Sequence, residues 1–224
     1  MDSSAVEALL PPVPELDDMN GEQDYVDYAE TAIEKVKYAF DLSAKDDWNE
    51  EKLDDTAKLW SRYTEGSDIK LYKRTMDVNA PLDKCVDFFS KQENMVDVNS
   101  SVIFGKTYEK ITEDAWFSNT KYQGNFMISD RDVVAFNYKM TLSDGSIIIS
   151  AFSVEHPELP EESGVIRSNL QVYIFHFTPV SENKTTVMNI GRSDVKGSIP
   201  ITFVNWLSEL QHDEYVNIKK HLEG

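Results

Sequence analysis

"SDVKGSIPITFVNWLSEL", residues 193–210, decides the reading of this chain. Gly197 and Pro200 punctuate it, and Pro200 suits the first turn of a helix, where a missing N–H costs nothing. From Pro200 to Leu222 the apolar members are Phe203, Val204, Trp206, Leu207, Leu210, Tyr215, Ile218 and Leu222. They cover about 180° of the helical wheel, against a stripe of about 100° on an ordinary surface helix. Thr202, Asn205, Glu209, His212, Asp213, Lys219 and Lys220 occupy the opposite side. A helix so broadly apolar needs an equally broad cover.

The cover lies upstream. "DIKLYKRTMDV" (68–78) alternates with period two, as a half-buried strand does. Pro81 then opens a short helix, "PLDKCVDFFSK", with Leu82, Cys85, Val86 and Phe89 on one face. Strand-like segments follow in "KTYEKIT", "AWFSNTKY", "DVVAFNYKM", "SIIISAFSVEH", "GVIRSNLQVYIFHFTPV" and "KTTVMNIGRSDV". Turn signals at Ser143–Ser146 and Ser181–Lys184 read as hairpins, so the expectation is an antiparallel meander. A long twisted sheet curls, and a helix laid across its concave side encloses a volume. Filled by side chains, that volume is a core; unfilled, it is an apolar pocket.

The N-terminal region differs in character. Residues 1–22 are acidic and proline-rich and read as a flexible tail, leaving 23–224 as one domain. From Asp24, the residues Tyr25, Tyr28, Ala32, Ile33, Val36 and Phe40 recur at helical spacing. An acidic stretch, "KDDWNEEKLDD", follows, in which Trp48 is the expected anchor onto the main body.

The 224 residues carry a net charge of −18, and residues 1–66 hold 18 acidic against 6 basic side chains. That balance argues against nucleic acid, which demands clustered Lys and Arg, and against long-range attraction to anionic lipid. A basic protein partner for the acidic N-terminal region is compatible with it. The chain has no basic signal-peptide start and no run of about 20 apolar residues. A monomeric cytoplasmic protein, peripheral to membranes, is the expectation. The one cysteine, Cys85, reads as a small buried apolar residue.

Four separated motifs, in order, carry a family resemblance. They are "SDRDVV" (129–134), "SVEHPELPEESGVIRS" (153–168), "SDVKGSIP" (193–200) and "FVNWL" (203–207). The chain thereby resembles the START domains, the steroidogenic-acute-regulatory-related lipid-transfer family, and especially its phosphatidylcholine-transferring members. The resemblance implies an α+β helix-grip fold: a curved antiparallel sheet around a long C-terminal helix, with N-terminal helices and an internal apolar tunnel. It implies binding and transfer of one lipid and no cofactor. Phe203, Val204, Leu207 and Leu210 would roof the tunnel. Gly197 and Pro200 would form the hinge, and Phe126, Met127 and Ile128 the loop that gates the tunnel and touches the membrane.

The resemblance also locates polar positions. Where some sterol-binding members carry an acid and an arginine, this chain has Ser118 or Asn119 and Asn137. The missing charge pair favours a glycerophospholipid over a sterol. Arg131, Asp132, Arg167 and Asp194 match motif positions and read as paired charges, with ligand contact as the second reading of Arg167. Catalysis has little support: the four histidines form no HExxH, and GxSxG and phosphate-cradling glycine loops are missing. His176 reads as a satisfied core histidine. A lipid sensor acting on a partner is the further alternative.

Overall fold

The computed structural model describes residues 1–53, 56–124, 128–202, 204–205 and 212–224. Its centre is a ten-stranded sheet, counted over the described residues. The strands are β1 (Asn49–Leu53), β2 (Lys58–Thr64), β3 (Ser67–Val78), β4 (Val102–Lys110), β5 (Ala115–Tyr122), β6 (Asp130–Thr141), β7 (Ile147–Ser153), β8 (Val165–Arg167), β9 (Asn169–Ser181) and β10 (Lys184–Asp194). Every segment read as a strand from its period is one. The simple meander needs amending, because the order is β1-β2-β3-β10-β9-β7-β6-β5-β4. β10 returns to pair with β3, from Thr185 opposite Val78 to Gly191 opposite Tyr72. The short β8 joins β6 in parallel.

Each face of the sheet is covered by helices, and strand alternation sorts the side chains between them. On the outer face lies α2 (Gln23–Ser43), whose Ala32, Ile33, Val36 and Phe40 are buried as their spacing predicts. They meet Phe117, Phe136, Ile148 and Ile174 from the strands. The inner face is covered by α3 (Leu82–Ser90), α4 (Met95–Val98) and the C-terminal helix α5 (His212–Glu223). Tyr215, Ile218 and Leu222 of α5 join Phe89, Trp116, Phe175 and Phe177 in that second core. Residues 201–202 and 204–205 are also helical, and Val204 N–H donates to Pro200 O at 3.1 Å, so a helical turn opens at the proline.

One N-terminal expectation is corrected. The segment 1–22 is packed rather than flexible: α1 (Ser3–Glu7) buries Val6, and a short 310 turn (Leu16–Met19) buries Met19. Ser143 N–H donates to Leu9 O at 3.1 Å, and Asn20 Nδ2 to Ile111 O at 2.8 Å, which straps the segment to strand ends. Its isolated apolar residues lack a period, so the composition concealed a docking strap. The acidic stretch after Trp48 contains an edge hairpin, β1–β2, because charged side chains are what an exposed edge strand carries. Trp48 does anchor there, donating through Nε1 to Leu42 O at 3.0 Å with the Lys73 ammonium 4.5 Å from its ring centre.

Met19→Ala should cost about 2–5 kcal/mol in urea unfolding, the range for emptying a buried methionine site. A melting transition unchanged by that substitution would return residues 1–22 to the status of a tail.

Candidate functional site

The inner face of the sheet beside the C-terminal helix gathers polar side chains inside an apolar surround. On β5 and β6 the paired positions Trp116–Asn137, Ser118–Ala135, Thr120–Val133 and Tyr122–Arg131 share that face. Asn137 Nδ2 donates to Ser118 Oγ at 2.9 Å and lies 3.3 Å from the Trp116 and Ala135 carbonyls. Both side chains are buried. Asn119, one residue along, faces the other way, and its Nδ2 donates to Val133 O at 3.1 Å and approaches Asp132 at 3.5 Å. Strand parity thus separates Ser118 from Asn119, and the structure brings Ser118 and Asn137 together.

Further polar groups on this face went unnoticed in the sequence. Tyr72, Arg74 and Met76 alternate inward on β3, and Arg74 Nη1 reaches Asn189 Oδ1 of β10 at 3.3 Å. Tyr215 of α5 donates to the same oxygen at 2.8 Å, so helix and sheet share one buried amide. Next to it on the helix, Glu214 accepts from Asn99 Nδ2 at 2.9 Å. Burial pushes the Glu214 carboxyl up to about 7, against the opposing pull of Arg74 and of the Asn99 hydrogen bond. The period-two pattern of "LYKRTM" already held Arg74's direction; nothing in the sequence held its partner. Gly191 belongs here too, because the Tyr173 ring lies over it and a Cβ would come within 2.6 Å of the ring.

The helix entrance is held to β3 by a residue the wheel had turned outward. Asn205 is buried: its Oδ1 accepts from Lys70 N–H at 3.0 Å and its backbone oxygen from Tyr72 Oη–H at 2.7 Å. Val204 is buried. Phe203, Leu207 and Leu210, expected in the tunnel roof, and Phe126 and Met127, expected in a gate loop, lie outside the described residues. Ile128 is half-buried, and Gly124 N–H donates to Asp130 Oδ1 at 2.8 Å.

Of the motif charges, Arg167 pairs with Asp132, Asp194 pairs with Lys196, and Arg131 bonds to backbone carbonyls. Asp132, 2% exposed, takes a two-pronged contact from Arg167, at 2.8 Å from Nε and 2.9 Å from Nη2. Arg167 also donates to Leu159 O at 3.1 Å, so the 155–164 loop is clamped to this pair. These groups stand on the side of β6 opposite Ser118 and Asn137. Arg131 points inward at the rim and donates to the Ser129 carbonyl, with Val195 O and Lys196 O each at 3.4 Å. Burial holds its guanidinium below the ordinary arginine range. One side chain therefore joins the loop before β6 to the turn after β10. Gly197 lies against it with φ +77°, and an added Cβ would sit 3.2 Å from Arg131 Nη2 and 3.0 Å from Ile166 Cδ1. Asp194 is bridged to Lys196 at 3.1 Å and accepts its N–H at 2.9 Å, shaping that turn. Pro200, where the helical turn begins, is exposed. Among the described residues no cluster of His, Cys, Asp and Glu is arranged to hold a metal ion.

Arg167→Leu leaves the Asp132 carboxylate buried without its partner and should cost about 3–5 kcal/mol. Lipid binding lost with an unchanged unfolding midpoint would instead assign Arg167 to ligand contact. Glu214 has a folded pKa above its unfolded value, so the stability it contributes is complete below about pH 4.5 and lost as pH rises through about 7. Urea midpoints measured across that window should fall in the wild type and flatten in Glu214→Gln; parallel profiles would refute the burial of this carboxyl.

The chain was compared with known proteins. No curated protein sequence matches it. Among solved structures, human StAR-related lipid transfer protein 5 superimposes with a TM-score of 0.76 at 20% identity, over 87% of this chain and 95% of that one. Human STARD10 gives 0.70 at 18% identity, over 93% and 81%. A STAR-related lipid transfer protein fragment from Xanthomonas axonopodis gives 0.70 at 20% identity, over 80% and 100%. At these identities the likeness establishes the fold. The family model described as "START domain" matches residues 29–222, nearly the whole chain. With a curved antiparallel sheet, a C-terminal helix on its inner face and that match, the chain belongs to the START domain family.

Proposed function

We propose that the protein binds one lipid between the inner face of its sheet and the C-terminal helix, and carries it between membranes. Family membership and the polar row set inside the second apolar core support this reading; the Ser118–Asn137 pair is the observation that carries it. A buried pair of neutral groups still has unused acceptor capacity at the hydroxyl and amide oxygens. It suits a ligand hydroxyl or ester and requires no counter-charge.

A glycerophospholipid is the preferred cargo. The inner face carries the Arg74 guanidinium, and near it a carboxyl, Glu214, balanced close to neutral pH. Opposite charges on one wall match a zwitterionic headgroup better than the single hydroxyl of a sterol. Sterol binding is the second reading, favoured by the neutrality of Ser118 and Asn137.

Burying about 16 methylenes is worth about 13 kcal/mol before the entropic costs of binding. A closed chamber would hold such a cargo too long for a carrier, so release needs a gate that opens where the bilayer takes over the apolar cover. Arg131 joins the two candidate parts of that gate, the loop around Ile128 and the hinge from Val195 to Pro200. A carrier rather than an enzyme is the further part of the proposal. Ser118 is bonded to an amide and not to a base, and His156 and His176 pack on the outer face against Phe117 and Phe40. Burial lowers His176 to about 4, which keeps it neutral.

Mass spectrometry of lipids released from the purified protein, followed by transfer between donor and acceptor vesicles, tests the proposal. A phosphatidylcholine-type lipid at one per chain, moved in a protein-dependent way, is expected. Asn137→Leu should change the bound lipid class or lower its occupancy several-fold while the melting temperature stays near that of the wild type. Protein that neither retains nor transfers any lipid defeats the carrier reading, and a retained sterol selects the second.

A further inference from the structure

A cleft of about 560 Å³ opens on the outer face, away from the proposed lipid site. Its wall comes from α2 (Thr31, Lys35), the β2–β3 hairpin (Gly66, Ser67), the start of β9 (Gln171) and the end of β10 (Arg192). That volume falls in the range of about 300–1,000 Å³ occupied by small-molecule sites.

Two cations line the cleft, and both are half-buried. Lys35 Nζ donates to the Gln171 carbonyl at 2.7 Å and lies 5.2 Å from the centre of the Phe152 ring. Arg192 Nη1 donates to Thr64 Oγ1 at 2.5 Å, and its Nε is buried with no hydrogen-bond partner among the described residues. Neither cation forms an ion pair among those residues, in a chain with a net charge of −18. Burial and the like charge of Arg192 both depress the Lys35 ammonium. Two neighbouring cations partly withdrawn from water, each hydrogen-bonded to a neutral oxygen, are an arrangement that an anion would relieve. The carboxylates in the cleft, Glu34 and Glu65, are exposed and stand at its mouth. They would repel a polyanion, yet they can accept hydrogen bonds from hydroxyl groups.

We propose that this cleft binds a small soluble phosphate monoester, with Lys35 and Arg192 holding the phosphate and Glu34 and Glu65 accepting from the hydroxyl groups of its organic part. The site is independent of the lipid-carrier reading. It lies at the end of β10, immediately before the 193–200 turn.

Calorimetric titration with glycerol 3-phosphate and with inorganic phosphate, at constant ionic strength set with sodium chloride, tests it. Vesicles of phosphatidylcholine with and without phosphatidic acid form a separate arm. Saturable one-to-one binding of glycerol 3-phosphate is expected, tighter than inorganic phosphate and accompanied by a rise in melting temperature. Arg192→Gln and Lys35→Met should each weaken it by at least about tenfold. Lys35→Met keeps the alkyl stem and removes one of the two like charges, so the unliganded variant should melt no lower than the wild type. Co-purified lipid should be unchanged in both variants, which separates this site from the inner one. Absence of saturable binding, binding that survives both substitutions, or binding only to phosphatidic acid vesicles would each overturn the proposal.

Discussion

The pairing of β10 with β3 is the constraint on which the rest of the structure depends. It joins residues 72–78 to residues 185–191, and so ties the N-terminal hairpin to the last strands of the sheet. Closing a loop of that length costs chain entropy before any contact repays it, and the seam repays it with more than ladder bonds. Met76 and Val187 are buried together, and Arg74, Asn189 and Tyr215 form a hydrogen-bonded link from β3 through β10 to α5. The terminal helix docks on this seam, where Tyr215 bonds Asn189 and packs in the same core as Met76 and Val187.

Charge is treated in two distinct ways on the two sides of β6. Towards the outer side, Arg167 and Asp132 neutralise each other and hold the 155–164 loop by its carbonyls. Towards the inner side, the same stretch of strand turns Arg131 to backbone carbonyls only, and Asn137 to a serine. A buried ion pair contributes little net stability but penalises any arrangement that separates its members. The outer-face cations Lys35 and Arg192 stand between these cases, charged and partly buried, with neutral partners alone.

Much of this was legible in the sequence, and the illegible parts share a cause. Period two revealed β3, β5, β6, β7, β9 and β10 because each buries at least one face against a helix. β1 escaped notice because an edge strand of charged residues buries no face. Residues 1–22 read as a tail because Val6 and Met19 contribute one side chain each, and single insertions leave no period. The same limit applied inside the site. Motif comparison brought Ser118 and Asn119 equally near the polar position, and strand parity in the folded sheet turned one inward and the other out. Asn205 was assigned to the wet side of its helix by the wheel, yet the Lys70 N–H and the Tyr72 hydroxyl donate to its side-chain and backbone oxygens once the helix meets β3.

What the sequence determined by itself was what repeats or is local. That includes the breadth of the terminal helix, the start at Pro200, the order of the strands along the chain and the motifs marking the family. Those features arise from neighbours within a few residues, where backbone geometry translates spacing directly into direction. The tertiary structure alone decided which distant strands became neighbours and which polar groups met: Arg167 with Asp132, Asn137 with Ser118, Arg74 with Asn189 and Tyr215, Lys35 with Arg192. A hydrogen bond needs partners within about 3 Å and correctly aimed. No spacing along a chain specifies that distance until the sheet has closed.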